Sequence, residues 1–240
     1  MPTKHHKIFI ATPAFGHQAF IAYVNGLIKF MSTPVPEDLS YETVVHLHAG
    51  SANISHARNN CVRAFLKSDC TKMLFIDADI GFAPENIHNL LRKDEDVMMA
   101  PYLAKSVQGV EGGRFIIHFP EKRPIEVDED GFTKIDAGPA GFLMIDRSAF
   151  TKIMEKFPDK EVPLKQVLSD KFIELKDFYT FFDCITTKEH GAMGEDISFC
   201  HLWKSTGGEI YCDTRAVLIH CGITHFTSSL KRTIEASNAQ

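Results

Sequence analysis

No apolar run in the chain approaches the roughly 20 residues needed to cross a bilayer, which argues against a transmembrane helix. The short apolar stretch Ile8–Ala11 lacks the length of a signal-peptide core. A cytoplasmic location is therefore expected, with peripheral attachment to a membrane left open. Basic residues are not in excess: 26 Lys and Arg stand against 31 Asp and Glu, for a net charge of −5. That balance argues against a nucleic-acid-binding surface. The six cysteines contain no C-x-x-C pair, so neither a zinc ribbon nor a disulfide framework is indicated. Cys200-His201, Cys212 and His220-Cys221 leave a zinc cluster conceivable, although buried, reduced thiols are the simpler expectation. Internal repeats, linkers and low-complexity segments are also missing. One domain over residues 1–240 is expected.

With 44% hydrophobic residues, the 240-residue chain has the material for a sizeable core. Its first hundred residues alternate strand and helix patterns. Ile8–Ala11, Thr43–Ala49, Met73–Ile76 and Val97–Ala100 read as strands. Between them, helices are expected over His17–Met31 and Ile54–Leu66, and from Pro84 through Leu91, with Pro84 in the first turn. This rhythm predicts a parallel sheet with helices on both faces, a three-layer α/β/α sandwich. Gly109–Lys134 changes character toward short β-prone pieces such as Arg114–Phe119 and Phe132–Ile135, read as hairpins or a lid. Phe142–Ile145 follows as a strand, and Asp146–Ser148 opens a helix. Residues 158–187 give no clear pattern. Glu195–Lys204 reads as a helix, Ile210–Cys212 and Ala216–Ile219 as strands, and the tail after Phe226 as helical or frayed.

The densest chemical signal is Leu74-Phe-Ile-Asp77-Ala78-Asp79. A buried strand ends there in two carboxylates spaced i, i+2, which project to one side. Like charges placed together need a cation or a hydrogen-bond network. Two readings stand at this stage: a divalent metal at the carboxyl ends of the strands, or aspartates capping the turn before Gly81 and Pro84. Thr12-Pro13-Ala14 offers a loop after the first strand. Ser51 or Asn53 can cap the second helix, and Arg58-Asn59 lie one turn into it. Lys105 follows the fourth strand, Gly194-Glu195-Asp196 opens a helix, and His220 ends a strand. Each has an ordinary alternative: a surface ion pair for Arg58, complementing the helix dipole for Glu195 and Asp196, a partly buried ring for His220. Gly191–Gly194 suits a closing loop or a plain turn. Phe181, Phe182 and Trp203 are expected in the core rather than stacked on a ligand.

In their order, these pieces resemble a GT-A glycosyltransferase. The match runs from Thr12-Pro13 through Ala57-Arg58-Asn59, Asp77-Ala78-Asp79, Pro101–Lys105 and Gly138-Pro-Ala-Gly141. It ends with Gly194-Glu195-Asp196 and Ile219-His220-Cys-Gly222. The resemblance implies a metal-dependent enzyme that moves a hexose-type sugar from a nucleoside diphosphate donor, UDP first and GDP next, to a glycan or other hydroxyl acceptor. By similarity Asp79 and His220 would ligate the metal, with Asp77 joining them or holding the ribose. Mn2+ is expected, Mg2+ being possible, because an imidazole ligand favours manganese. Thr12, Pro13, Ala14, Arg58, Asn59, Asp77, Ala78, Lys105 and Gly141 would bind the donor. Asp196, supported by Glu195, would act at the acceptor hydroxyl. His220 after a late strand and the compact length resemble retaining members somewhat more than inverting ones. Two alternatives are a non-catalytic sugar-nucleotide or glycan-binding protein and a sugar-nucleotide pyrophosphorylase. The latter would want a glycine-rich, basic loop where this chain has Thr12-Pro-Ala-Phe-Gly16-His17.

Overall fold

The computed structural model describes residues 4–105, 114–121, 124–168, 171–188, 191–222 and 225–238. Strand β1 (His5–Ala14) is covered on both faces, and its alternating residues feed two separate cores. Ile8 and Ile10 pack with Tyr23 and Phe30 of helix α1 (Ile21–Ser32). Phe9 and Ala11 face the other way. Strand β2 (Ser40–Ala49) pairs in parallel with β1, and helix α2 (Ile54–Leu66) brings Cys61 and Phe65 against Phe9. Strand β3 (Lys72–Ile76) repeats the alternation, with Leu74 and Ile76 in the first core and Met73 and Phe75 in the second. Fully burying one such side chain contributes about 1.5–3 kcal/mol. A two-residue strand β4 (Ile80–Gly81), helix α3 (Pro84–Lys93, proline in its first turn) and strand β5 (Val97–Met99) complete the first half.

The second half contributes β6 (Phe132–Ile135), β7 (Phe142–Asp146), α4 (Arg147–Lys156), β8 (Glu161–Leu168) and β9 (Lys171–Tyr179). After these come β10 (Ile185–Thr187), β11 (Gly191–Met193), α5 (Glu195–Ser205), β12 (Ile210–Asp213), β13 (Val217–Cys221), β14 (His225–Ser229) and α6 (Leu230–Asn238). The central sheet has the order β2-β1-β3-β7-β5-β12-β6. Five strands run one way, while β7 and β6 run against them. The sheet is therefore mixed but mostly parallel, and helices cover both faces.

Several expectations need correction. Strand β7 lies antiparallel between β3 and β5, so β3 and β5 are not neighbours. β6 and β7 run the same way as each other and against the other five strands, so β7 enters the sheet antiparallel to both of its neighbours. Thr12–Ala14 is strand rather than loop, because pairing with β2 continues to Ala14–Ala49. Helix α1 begins at Ile21 instead of His17. A tight turn at 15–17 intervenes, with positive φ at Gly16 (68°) and His17 (58°). Asn53, not Ser51, caps α2, its side chain accepting from the His56 N–H at 3.1 Å. Arg114–Phe119 makes only isolated bridges, Leu103–Phe115 and His118–Ala137. The remainder of the lid expected over Gly109–Lys134 falls partly outside the described residues, at 109–113 and 122–123. Residues 158–187 hold the β8–β9 hairpin, and Gly191–Met193 pairs with β10 rather than forming an open loop.

Candidate active site

The pairing of β13 with β4 builds the centre of the site. Register partners Ile219–Gly81 and His220–Ile80, with the Cys221 N–H on the Asp79 carbonyl at 2.8 Å, carry His220 across more than 100 residues of sequence to Asp79. His220 Nδ1 donates to the Leu103 carbonyl at 2.7 Å. A carbonyl only accepts, so this contact fixes the tautomer and leaves a lone pair on Nε2. Burial holds the His220 pKa below its ordinary value, keeping the ring neutral. Nε2 then faces Asp79 Oδ2 at 3.7 Å, one lone-pair donor looking at another. The Tyr102 ring packs edge-on against His220, with centroids 4.7 Å apart.

Asp79 is also held by the Lys105 ammonium, on the same Oδ2. A cation therefore already sits at that oxygen. Asp77 turns elsewhere: its Oδ2 accepts from Arg58 Nη2 at 3.0 Å, while its buried Oδ1 has no hydrogen-bond partner among the described residues. Arg58, only 3% exposed, also reaches Glu195 Oε1 with Nε at 3.4 Å. Burial works against its charge, but Asp77 and Glu195 outweigh this and raise its pKa. Helix α5 starts at Glu195-Asp196 behind Gly194, so both carboxylates sit at its positive end. Asp196 Oδ1 accepts from the Ile197 N–H at 2.8 Å and has no ion-pair partner among the described residues. Burial, with the Glu195 charge adding to it, raises the Asp196 pKa above the usual carboxylate range.

A cleft of about 360 Å³ opens beside these groups, between Pro13, Phe15, Ser51, Ala57 and the Asp77–Asp79 turn. Its size falls within the roughly 300–1,000 Å³ usual for small-molecule sites. Pro13, Asp77, Ala78 and Asp79 line it directly. Thr12 is fully buried, and its hydroxyl shares a 2.7 Å hydrogen bond with Tyr23. Ala14, at the end of β1, is buried too. Asn59 places its amide on the 182–183 turn, accepting from the Phe182 N–H at 2.8 Å and donating to Asp183 at 3.2 Å. Gly141 packs so closely that a Cβ there would lie 2.3 Å from Tyr102 Oη and 2.9 Å from Asp77 Oδ2. Its N–H donates to Tyr102 Oη at 3.1 Å, and its carbonyl accepts from the Asp77 N–H at 2.9 Å.

Tyr102 and Leu103 are site residues that the sequence pattern quoted without a role. Their signal was position alone, between the end of β5 and Lys105. Phe181, Phe182 and Trp203 are core residues as expected, Phe182 stacking on Phe199 at 4.6 Å. Cys200, Cys212 and Cys221 are buried free thiols, and they gather no ligand set with His220.

No family model matches the sequence, and no curated protein is significantly similar to it. Among solved structures, A197 from STIV aligns at TM-score 0.50 and 14% identity, over 94% of this chain and 91% of that one. A structure of GalNAc-T7 with UDP, GalNAc and Mn2+ aligns at TM-score 0.49 and 10% identity, over 87% of this chain and 42% of that one. With the strand order above, the likeness to A197 establishes a GT-A-like fold: mixed α/β layers around a large, mostly parallel sheet. No helix among the described residues is long and apolar enough to cross a membrane.

Proposed function

We propose that this chain is a metal-dependent glycosyltransferase that moves a sugar from a nucleoside diphosphate donor to a hydroxyl group. UDP is the first choice of donor nucleotide and GDP the second, and the acceptor is a glycan or another hydroxyl-bearing molecule. The observation that carries this reading is the Asp79–His220 pair. Two lone-pair donors held 3.7 Å apart, one on a carboxylate that already attracts an ammonium, make a fitting pair of ligands for a divalent cation. Manganese suits a mixed carboxylate and imidazole set, and when bound it supplies Lewis-acid neutralisation of the leaving diphosphate.

The chain's own groups then divide the work. The cleft between Pro13, Ser51 and Ala78 takes the nucleoside, and Asp77, steadied by Arg58, meets the ribose. Lys105, once released from Asp79, is free to pair with diphosphate oxygens. Gly141, with no side chain, lets its own backbone lie against Tyr102 and Asp77 beside the donor cleft. Asp196, with its raised pKa and no ion-pair partner among the described residues, is suited to accept the acceptor hydroxyl's proton in an inverting reaction. In a retaining reaction the same carboxylate would orient the acceptor, and the anomeric configuration of the product distinguishes the two. Glu195, paired with Arg58, sets the field in which Asp196 works.

A second reading, a glycan-binding protein without turnover, is favoured by one observation: Lys105 occupies the Asp79 oxygen that a metal would need. Thermal unfolding with UDP or GDP, each with and without manganese, tests both. A ligand at 100 times its Kd adds about 2.7 kcal/mol to stability. The transferase reading expects a shift that requires one nucleotide and manganese together, and the absence of any shift in the folded protein would overturn it.

A further inference from the structure

His46 and His48 sit two apart on β2, the edge strand of the central sheet, so their rings project to the same face. Helix α2 covers that face and presents Cys61 to them. One ligand atom from each of His46, His48 and Cys61 lies within 4.8 Å of the other two. The rings are set in place by stacking, His46 on Phe9 at 5.3 Å and His48 on His46 at 6.3 Å. No described residue hydrogen-bonds either imidazole or the thiol, although Cys61 is fully buried. Burial holds both imidazoles below their ordinary pKa, with neighbouring histidines adding to the effect at His48, so both are neutral ligands at pH 7. The same burial pushes the Cys61 thiol up to about 12, which leaves it inert unless a cation draws off its proton.

We propose that His46, His48 and Cys61 form a second metal site, separate from the Asp79–His220 pair, that takes zinc or a similar borderline-soft divalent ion. One thiolate and two imidazoles suit zinc or cobalt and disfavour the hard ions magnesium and manganese. Zinc bond lengths of about 2.0–2.3 Å place tetrahedral ligand atoms roughly 3.3–3.6 Å apart, a short side-chain movement from the present spacing. On binding, the thiol proton passes to solvent, sulfur and the two ring nitrogens donate lone pairs, and no electron is transferred. The half-exposed side of the two rings leaves the fourth position to water. Cys61 follows Arg58 by three residues on α2, so the ion ties the helix that holds Asp77 to the edge strand.

The test is titration of the full chain with Co2+, which gives a near-ultraviolet thiolate-to-cobalt charge-transfer band only where sulfur is a ligand. The background carries Cys184→Ser, to remove the exposed thiol, and Asp79→Ala, to silence the proposed donor site. One cobalt per chain with a thiolate band that zinc bleaches is expected. Cys61→Ser should abolish the band. His46→Gln with His48→Gln, at a partly exposed edge that tolerates change, removes two direct ligands and should weaken binding by at least about a hundredfold, the most that an outer-shell change alone costs. A folded protein without the band, or a band that survives Cys61→Ser, overturns the proposal. Because Asp79 is already absent, neither outcome depends on whether the chain is a transferase.

Discussion

Strand β3 carries a charge cluster at each end, and the two are built on opposite plans. At its start Lys72, 1% exposed, lies 2.8 Å from Asp94 and 3.1 Å from Asp146, and Lys4 adds a second cation on Asp94 at 2.9 Å. Two cations meet two carboxylates there, and the capping bond from the Ser148 N–H to Asp146 completes the set. Just past its end, Asp77, Asp79, Glu195 and Asp196 meet Arg58 and Lys105: among the described residues, four carboxylates against two cations. A cluster that only holds the fold together can close its own charge balance. One left with an acid surplus beside an open cleft is arranged to receive positive charge from outside. The pKa shifts follow the same division. At the amino end, burial acts to raise the Asp94 and Asp146 values, but Lys72, Lys4 and the Ser148 N–H outweigh it and both fall below the usual range. At the carboxyl end, burial and Glu195 raise Asp196.

The largest effect is expected at the surplus end. Asp196→Asn keeps the shape but removes the proton acceptor, and should lower transfer by about 10²–10⁴-fold while donor binding stays close to wild type. Its stability should change in the opposite sense to its activity. With a folded pKa above the unfolded one, Asp196 favours folding while protonated and loses that benefit as pH rises through the folded value. The variant's melting temperature should therefore match wild type in acid and exceed it near neutrality. A variant less stable at pH 7 would mean that the carboxylate is structural. Asp94 and Asp146 carry the reverse sign. Their stabilisation is present above the unfolded pKa and lost as pH falls through the depressed folded values, so acid should weaken the amino end first.

Asp79→Ala should lower turnover by about 10²–10³-fold, the usual loss when charge stabilisation of a transition state is removed, and should abolish manganese-dependent thermal shifts. Retained manganese binding, measured calorimetrically, would move the metal away from this pair. Lys72→Met tests the balanced end. It leaves Asp146 without its cation and should destabilise the fold by about 3 kcal/mol by urea unfolding, with nucleotide binding unchanged. The low end of the roughly 3–5 kcal/mol range applies because both aspartates keep some exposure.

Much of this contrast was legible in sequence, for a physical reason. Asp77 and Asp79 follow a run whose five residues are all buried, and such a run announces a strand and what lies at its end. Pro84 marked a helix start, and Glu195-Asp196 behind a glycine marked another. The rest depended on pairing between distant segments, which leaves no local trace. The sequence around Phe142 says strand but not direction, so the antiparallel place of β7 was invisible. A two-residue strand such as β4 is too short to show periodicity, yet it delivers His220 to Asp79. The Lys72 cluster was missed because its members are scattered along the chain, Lys72 and Asp146 lying 74 residues apart, and each reads alone as surface charge. The His46, His48 and Cys61 grouping needs a helix laid over an edge strand, again a tertiary fact.

The smallest expected effect also tests how tightly the surplus end is built. Gly141→Ala would put a Cβ 2.3 Å from Tyr102 Oη and 2.8 Å from its Cζ, against a ring that is only 6% exposed and has nowhere to turn. Overpacking of this kind costs about 1–3 kcal/mol. Its main consequence should be local, because Tyr102 packs on His220 and the same Cβ would meet Asp77 Oδ2 at 2.9 Å. Manganese and nucleotide binding should fall by more than the stability loss explains, while Lys72, at the far end of the strand, is unaffected. Tyr102→Phe separates clash from mere backbone stiffening. Removing Oη relieves the closest contact, so Gly141→Ala should cost less in a Tyr102→Phe background, by at least about 0.5 kcal/mol in a double-mutant cycle. Additive losses would show that the tyrosine yields freely, and that the glycine serves the bend before β7 rather than the packing around Asp77.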